Sequence, residues 1–238
     1  MPTNITVPAR GGEGAIPAYC ARPGGTPPAA IIVIPEIFGV NPGIVAKCDA
    51  WAARGYLAIA PDIFWRFAPG VELDPDIEAQ FQQALANMGR YTEAQHHGRN
   101  DSVDDAQAIA DWLRTEQGVA KVGLVGFCLG GRIAYLCATR TDIDANVGYY
   151  GVMIDKALNE AHAIANPLML HIAGADHFSS AEAQEAIHAA LDPNPHVTLH
   201  DYPGLDHGFA ASSGRRRDEA GARLADERTA AFFARHLA

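Results

Sequence analysis

A cysteine between glycines stands where a predicted strand passes into a predicted helix. The segment Gly126-Phe127-Cys128-Leu129-Gly130-Gly131 follows the apolar run Val122–Val125. On such a sharp turn a nucleophile projects beyond the sheet edge, and the glycines avoid collisions with neighbouring backbone. The Leu129 amide is left free at the helix N-terminus, where it can stabilise an oxyanion. The segment therefore predicts covalent catalysis by Cys128.

Other structures also use glycine-rich strand-to-helix turns. A dinucleotide-binding turn needs a second glycine two residues after Gly126, and that position is Cys128. This segment alone is also compatible with a purely structural turn that contains a buried cysteine. The other cysteines, Cys20, Cys48 and Cys137, lack such neighbours and are interpreted as small buried side chains. The nucleophile interpretation therefore depends on partner residues elsewhere in the chain.

An acid and a base are expected after the nucleophile in chain order, each in a loop that follows a strand. Asp176 and His207 have these positions. There His207 would take the thiol proton and return it to the leaving group, while Asp176 orients the imidazole and water later cleaves the thioester. Asp206 and His177 are the competing candidates. Each adjoins a member of the preferred pair, and neighbouring residues rarely point at each other.

A carboxylate also follows a buried strand directly. Glu36 comes after the apolar run Ile31–Ile34 and Pro35. An exposed glutamate at a strand end is the structural alternative. The functional interpretation places Glu36 at the same sheet edge as Cys128 and makes the Ile37 amide the second oxyanion donor.

Short apolar runs alternate with longer amphipathic runs along the chain. Continuously apolar strands indicate a sheet that is covered on both faces and is mostly parallel. The alternation predicts a doubly wound α/β fold with helices on both faces. The predicted strands are Ala15–Cys20, Ala30–Ile34, Tyr56–Ala60, Lys121–Val125, Val147–Tyr150, Leu168–Ile172 and Val197–Tyr202, and the predicted helices are Asn41–Arg54, Ser102–Gln117, Gly130–Thr139, Ser180–Leu191 and Asp218–His236.

The length, charge and apolar runs of the chain restrict the functions that it can have. The 238 residues fit one α/β domain over 1–238, and weak periodicity makes residues 67–99 a candidate insertion and partial lid. The net charge of -10 disfavours nucleic-acid and anionic membrane partners. No basic leader precedes an apolar run, and no apolar run approaches the roughly 20 residues that span a bilayer. We expect a cytoplasmic protein, monomeric or a small homo-oligomer, that acts on a small molecule.

Six segments together resemble the dienelactone hydrolase (carboxymethylenebutenolidase-like) family, which has the α/β-hydrolase fold. The resemblance implies a triad of Cys128, His207 and Asp176, with oxyanion donors as above. It also implies that Glu36 contacts the cysteine and controls its protonation. The segments are Pro35-Glu36-Ile37-Phe38-Gly39, Ala60-Pro61-Asp62, Gly126-Phe127-Cys128-Leu129-Gly130-Gly131, Gly148-Tyr149-Tyr150-Gly151, Gly174-Ala175-Asp176-His177-Phe178 and His207-Gly208-Phe209.

The chain departs from this family where the resemblance places recognition of a substrate carboxylate. Family members that act on the carboxylated dienelactone use two arginines and a tyrosine, and the matching positions here are Phe81, Leu85 and Ala211. Apolar side chains leave an anion without compensation, so we expect neutral or aromatic esters and lactones as substrates. The expected pocket lining is Phe38, Trp65, Phe81, Leu85, Tyr150, Phe209 and Ala211, and Arg66, Arg90 or Arg99 are candidates for a replacement cation.

Other functions stay open. A general carboxylesterase or thioesterase would use the same triad. A non-catalytic binding protein with this fold is the alternative from a different class, and hydrolysis of a small ester distinguishes it. A metal site is disfavoured because the adjacent His96 and His97 face apart on a helix. No cofactor is expected.

Overall fold

One mixed sheet runs through the described residues, 2–12, 14–96 and 101–238, of this computed structural model. The strand order is β1-β2-β4-β3-β5-β6-β7-β8. The strands are β1 (Ile5–Pro8), β2 (Ala15–Ala21), β3 (Ala29–Ile34), β4 (Leu57–Pro61), β5 (Lys121–Phe127), β6 (Ala145–Tyr149), β7 (Leu168–Ala173) and β8 (Val197–Tyr202). The α-helices are α1 (Pro42–Ala53), α2 (Glu78–His96), α3 (Asp101–Glu116), α4 (Leu129–Arg140), α5 (Ala181–Leu191) and α6 (Glu219–His236).

The predicted α/β-hydrolase fold is confirmed. Strands β3 to β8 pair in parallel, while β2 pairs antiparallel with both β1 and β4. Helices α1 and α6 meet through Trp51 and Phe233, and α3 packs against α4 on a separate layer. Every residue of β3 and β7 is buried, as expected for strands covered on both faces.

One strand and one α-helix of the described chain are absent from the sequence prediction, as are the short 3-10 helices Arg10–Gly12 and Ile154–Ala163. Strand β1 has four residues, buries Val7 and pairs along the outer edge of β2. The segment 67–99, predicted as an irregular insertion, instead contains α2. Its apolar residues recur at helical spacing, with Phe81, Leu85 and Met88 on one side facing the pocket described below. Whether this segment acts as a lid stays a prediction.

The carboxyl ends of the parallel strands collect the candidate residues at one sheet edge. Glu36 follows β3, Cys128 follows β5, Asp176 follows β7 and His207 follows β8. In an open α/β sheet this edge is where ligands bind. None of the described helices is long and apolar enough to cross a bilayer.

Candidate active site

Cys128 lies on a strained turn between β5 and α4. Its φ of 56° and ψ of -114° are values that side-chain-bearing residues rarely adopt. A Cβ at Gly126 would lie 1.9 Å from the Gly130 carbonyl oxygen, and one at Gly130 would lie 2.5 Å from the Ile34 carbonyl oxygen. The turn is held by the Cys128 amide, which donates to the Tyr149 carbonyl at 3.0 Å. Backbone strain of this kind costs about 1–3 kcal/mol and often marks a functional site.

His207 and Asp176 form a buried pair. The Nδ1 atom of His207 lies 2.9 Å from Oδ2 of Asp176, and the two side chains are 1% and 2% exposed. The other carboxylate oxygen of Asp176 accepts from the Phe178 amide at 2.8 Å. The imidazole is therefore fixed in orientation, with Nδ1 donating and Nε2 left to face another group.

The competing acid and base pair with each other. His177 Nδ1 lies 2.8 Å from Asp206 Oδ1, and that oxygen also accepts the backbone amide of His207 at 2.6 Å. Both side chains of this second pair are 56% exposed. The geometry thus favours Asp176 over Asp206 as the partner of the His207 ring.

Cys128 and His207 line the same pocket. Burial opposes a positive charge on the imidazole. The negative charge of an ionised Cys128 and the hydrogen bond to Asp176 outweigh that effect and raise the pKa of His207 to about 10. The surroundings therefore place an imidazole that readily holds a proton beside Cys128, and a thiolate is the reactive state of a cysteine nucleophile.

The predicted oxyanion donors flank the cysteine. Ile37 follows β3 in a turn and lines the pocket with Cys128, and Leu129 is the first residue of α4. Within the described chain, neither backbone amide donates to another protein group. Both therefore remain available to an anionic oxygen.

The catalytic pocket, as we name the space beside Cys128, is small and mostly apolar. Its volume is about 30 Å³, room for about one water molecule. Three of the residues expected in a substrate pocket line it, namely Phe38, Phe81 and Leu85, and their contact with a substrate stays a prediction. The rest of the lining is Ile37, Met88, Cys128, Val152, Phe178, His207 and Arg216.

Other predicted lining residues lie elsewhere, and two of these predictions need correction. The Trp65 indole donates to Asp105 at 2.9 Å and does not line the pocket. Phe209 is fully buried against Tyr150, because the turn after His207 points its ring into the core. Tyr150 packs on the His207 ring at 5.0 Å between centroids but lines a neighbouring cavity, as does Ala211.

Arg216 is the charged residue among the four lining residues that were not expected from the sequence, the others being Met88, Val152 and Phe178. Its guanidinium lies 5.2 Å from the Phe38 ring centroid. Of the predicted replacement cations, Arg66 is paired with Asp105, Arg90 stacks on Phe67, and Arg99 lies outside the described residues. The available signal was the run of three arginines that begins eight residues after His207.

Glu36 faces Arg216. Its Oε2 lies 3.8 Å from Arg216 Nη2, and the side chains are 12% and 24% exposed. Among the described residues, no hydrogen bond joins Glu36 to Cys128. The contact with Cys128 that the family resemblance implies stays a prediction, and the ion pair that the structure gives Glu36 is the loose one with Arg216.

Unpartnered polar atoms cluster at this edge. Across the described part of the chain, seven buried side-chain nitrogens or oxygens lack a hydrogen-bond partner. Four of them belong to Glu36, Tyr150, His207 and Arg216. These groups lie close enough to act on one another: burial and the Glu36 carboxylate raise the pKa of Tyr150, and Cys128 acts on the pKa of His207.

A possible metal-ligand group also lies nearby. Ligand atoms of Asp176, His177 and Asp206 lie within 4.8 Å of one another. The Asp176 oxygens already accept from His207 and from the Phe178 amide, so this carboxylate is committed to the imidazole. The sequence also disfavours a metal site at His96 and His97. The His97 backbone and both side chains lie outside the described residues.

Comparison with known proteins gives this site a family. The sequence profile of the Dienelactone hydrolase family matches residues 16–237. The chain belongs to the dienelactone hydrolase family. It is 42% identical to a provisionally named carboxymethylenebutenolidase from Azospirillum brasilense, with 99% of each chain covered. It is 36% identical to the carboxymethylenebutenolidase of Pseudomonas putida, covering 91% of this chain and 90% of that one.

A solved structure agrees with this assignment. A provisionally named dienelactone hydrolase from Klebsiella pneumoniae superposes with a TM-score of 0.78 at 28% identity, covering 96% of both chains. As a dienelactone hydrolase family member, the chain is an enzyme of the lactone and carboxylic-ester hydrolase class.

Proposed function

We propose that this enzyme opens a lactone or cleaves a carboxylic ester through a thioester on Cys128. The thiolate sulfur attacks the carbonyl carbon, and the carbonyl oxygen becomes an oxyanion that the Ile37 and Leu129 amides bind. The tetrahedral carbon then re-forms its carbonyl and expels the alkoxide, which takes the proton from His207 Nε2. In a lactone the alcohol so formed remains attached to the acyl group.

The second half-reaction releases the acid. Neutral His207 removes a proton from water, and the hydroxide oxygen attacks the thioester carbon. The carbon–sulfur bond breaks, Cys128 leaves as the thiolate and His207 keeps the proton for the next cycle. Asp176 keeps the imidazole oriented and stabilises its positive charge in both steps.

One observation carries this proposal. Cys128 has positive φ at the strand–helix turn and shares its pocket with a histidine whose other nitrogen is bound to a buried carboxylate. A structural cysteine needs neither the strained backbone nor the buried histidine–carboxylate pair.

The side chains around Cys128 favour a neutral or aromatic group at the reacting carbonyl. Phe38, Phe81, Leu85 and Phe178 offer apolar contact around Cys128. Arg216 adds a positive charge, but the carboxylate of Glu36 lies 3.8 Å away and offsets it. The net environment therefore favours an uncharged acyl group over a carboxylated one.

Hydrolysis of p-nitrophenyl acetate and of an uncharged lactone, before and after alkylation with iodoacetamide, tests this function. We expect hydrolysis that alkylation abolishes, and loss of both activities in Cys128→Ala with unchanged melting temperature. Cys20→Ala is the matched control and keeps activity, since Cys20 lies on β2 away from the pocket. Tight ligand binding without hydrolysis of any ester or lactone would instead favour the binding-protein alternative. A cytoplasmic location and a monomeric or small homo-oligomeric state stay predictions.

A further inference from the structure

A larger cavity is lined by Glu36, whose carboxylate lies 3.8 Å from Arg216 in the lining of the catalytic pocket. Its volume is about 460 Å³, against about 30 Å³ beside Cys128. Sites for small organic molecules usually measure about 300–1,000 Å³. The catalytic pocket alone therefore does not hold a whole substrate, whereas the larger cavity has the volume for a substantial group. We call this larger space the second cavity.

The wall between the two spaces is made of a few side chains. Glu36 and Tyr150 line the second cavity, and Arg216 lines the catalytic pocket. The 3.8 Å between Glu36 Oε2 and Arg216 Nη2 exceeds hydrogen-bond length, so the guanidinium is held by a loose ion pair and by its contact with the Phe38 ring and by no direct hydrogen bond to Glu36. Since Arg216 comes from the polar loop after His207, its side chain is the part of the wall that a substrate can displace.

Two polar atoms on this wall point to a ligand. Within the described chain, Glu36 Oε1 and the Tyr150 hydroxyl are buried and make no hydrogen bond of normal geometry, while burial and the nearby Glu36 carboxylate raise the pKa of Tyr150. Tyr150 is only 2% exposed. An unpaired buried polar group costs about 1–3 kcal/mol. Because a carboxylate oxygen only accepts hydrogen bonds, the matching ligand carries donors.

The charges of the second cavity narrow the ligand class. Carboxylates outnumber cations in its lining, so it disfavours anions and favours hydroxyl or ammonium groups. The charged lining residues are Glu36, Glu72, Asp74, Asp76 and Lys47.

The single cation among them is already engaged. Lys47 Nζ donates to the Ala210 carbonyl at 3.0 Å and lies 4.3 Å from the Phe127 ring centroid. Burial lowers the pKa of Lys47, which weakens its charge further as a site for anions. Asp76 is partly offset by Arg215 at the rim.

We propose that the second cavity is a substrate subsite for a hydroxylated or cationic group, separated from Cys128 by the movable side chain of Arg216. This inference rests on the proposed function, with the scissile carbonyl at Cys128 and one substrate arm passing Glu36. A hydroxyl on the arm then donates to Glu36 Oε1, and a cationic group on the arm is attracted by the charge of Glu36 and of the carboxylates behind it.

Matched esters test the subsite. One series joins a single neutral acid to ethyl, 2,3-dihydroxypropyl, trimethylammonioethyl or carboxymethyl alcohol groups. A second series places the same groups on the acyl side of an ethyl ester. Only the series that directs its variable group into the second cavity should show a preference. In that series we expect the dihydroxypropyl and trimethylammonioethyl compounds to exceed the plain ethyl compound in kcat/KM by about tenfold, equivalent to about 1.4 kcal/mol. The carboxylate compound falls below it.

Variants test whether this substrate preference arises in the second cavity. Ala211→Phe fills the second cavity, and the ratio of kcat/KM between the dihydroxypropyl and ethyl compounds should fall to about one, the value for no discrimination. Asp74→Asn lowers the preference for the cationic compound alone, because its side-chain oxygen still accepts from the Asp76 amide. Glu227→Gln, at a 59% exposed site on α6, leaves both ratios unchanged and is the control.

The outcomes separate the two proposals. If the wild-type enzyme fails to hydrolyse the plain ethyl ester, the proposed function is wrong. If it hydrolyses that ester but shows no preference in either series, or keeps the preference in Ala211→Phe, the subsite alone is wrong. Should Ala211→Phe not hydrolyse the ethyl ester, Ser213→Trp at the exposed cavity mouth replaces it under the same criterion.

Discussion

Arg216 lies 3.8 Å from the carboxylate of Glu36 at the edge of the catalytic pocket. The two side chains are 24% and 12% exposed, so water screens their charges only in part. We expect the two charges to change the reactivity of Cys128 with opposite signs, Arg216 increasing it and Glu36 decreasing it.

Alkylation rates should report these opposite signs. Glu36→Gln removes a negative charge near Cys128, so its reaction with iodoacetamide near neutral pH should be faster than wild type. Arg216→Gln leaves Glu36 uncompensated and should react more slowly. Each change is expected to be about fivefold, because a unit charge nearby contributes about 1 kcal/mol when it is well screened.

Arg215→Gln is the matched control for this pair. Arg215 lies in the same loop but is 79% exposed and pairs with Asp76, so its alkylation rate should equal wild type. Equal rates for Glu36→Gln, Arg216→Gln and wild type would show that neither charge reaches the sulfur. A slower reaction of Glu36→Gln would reverse the sign that we assign to it.

The two nearby aspartates should differ in importance. Asp176→Asn removes the charge that orients and stabilises His207, and we expect kcat to fall by about a thousandfold or more. Asp206→Asn should stay within about threefold of wild type, because Asp206 binds His177 and a backbone amide. Steady-state kinetics on one ester compare them, and a larger loss in Asp206→Asn would exchange their roles.

The same variant should change the pH dependence of alkylation. Burial lowers the pKa of His207, while the Cys128 charge and the Asp176 hydrogen bond raise it to about 10. Asp176→Asn removes the carboxylate charge that helps to raise the pKa of His207, so the His207 imidazolium should lose its proton at lower pH in the variant. A pH series of iodoacetamide rates should show the alkaline change shifted to lower pH in the variant. An unshifted profile would mean that Asp176 does not act on the imidazole charge.

A buried histidine under the site should make stability depend on acid. His171 Nδ1 lies 2.8 Å from the Tyr202 hydroxyl and Nε2 lies 2.9 Å from the Thr229 hydroxyl. Burial lowers its pKa well below the ordinary 6.5. The unfolded chain therefore binds a proton below pH 6.5 that the folded chain does not, and stability falls as pH falls.

Urea unfolding of wild type and His171→Gln measures this effect. The stability advantage of wild type should shrink below pH 6.5, by about 1 kcal/mol for each pH unit. His162→Gln, an exposed position, should follow wild type at every pH. A wild-type advantage that stays constant down to pH 5 would mean that His171 is protonated in the folded protein as well.

Substrate charge gives another prediction. An uncharged lactone or aryl ester should have a kcat/KM at least about tenfold above that of the carboxylated dienelactone, the cost of leaving a substrate carboxylate without its charge-assisted partner. Paired measurements on the two compounds decide this. A clear preference for the carboxylated compound, lost in Arg216→Gln, would instead assign Arg216 as its carboxylate ligand.

Local patterns were enough to predict most of the fold. All seven predicted strands and all five predicted helices end within two residues of their observed bounds. Strand β1 was not predicted, because four residues with one buried side chain show little periodicity and because its pairing with β2 is a tertiary contact. Helix α2 was not predicted, because its many polar residues obscure the helical spacing of the apolar positions Phe81, Leu85 and Met88.

The candidate site was partly predictable for a similar reason. Residues placed directly after parallel strands, such as Cys128 and Asp176, must meet at one sheet edge. Arg216 lies nine residues after His207 in a loop, and no periodicity indicates where such a loop folds back. The positions of Trp65 and Phe209 likewise depend on which way a loop side chain turns.

Mass spectrometry of the enzyme quenched in acid during turnover tests the central claim most directly. With a slowly hydrolysed aryl ester, we predict a mass increase equal to the acyl group, mapped by proteolysis to the peptide that contains Cys128. The adduct should be cleaved by hydroxylamine, as expected for a thioester, and should be absent from Cys128→Ala. Acylation of another residue in the wild-type enzyme, or full turnover by Cys128→Ala, would contradict the account.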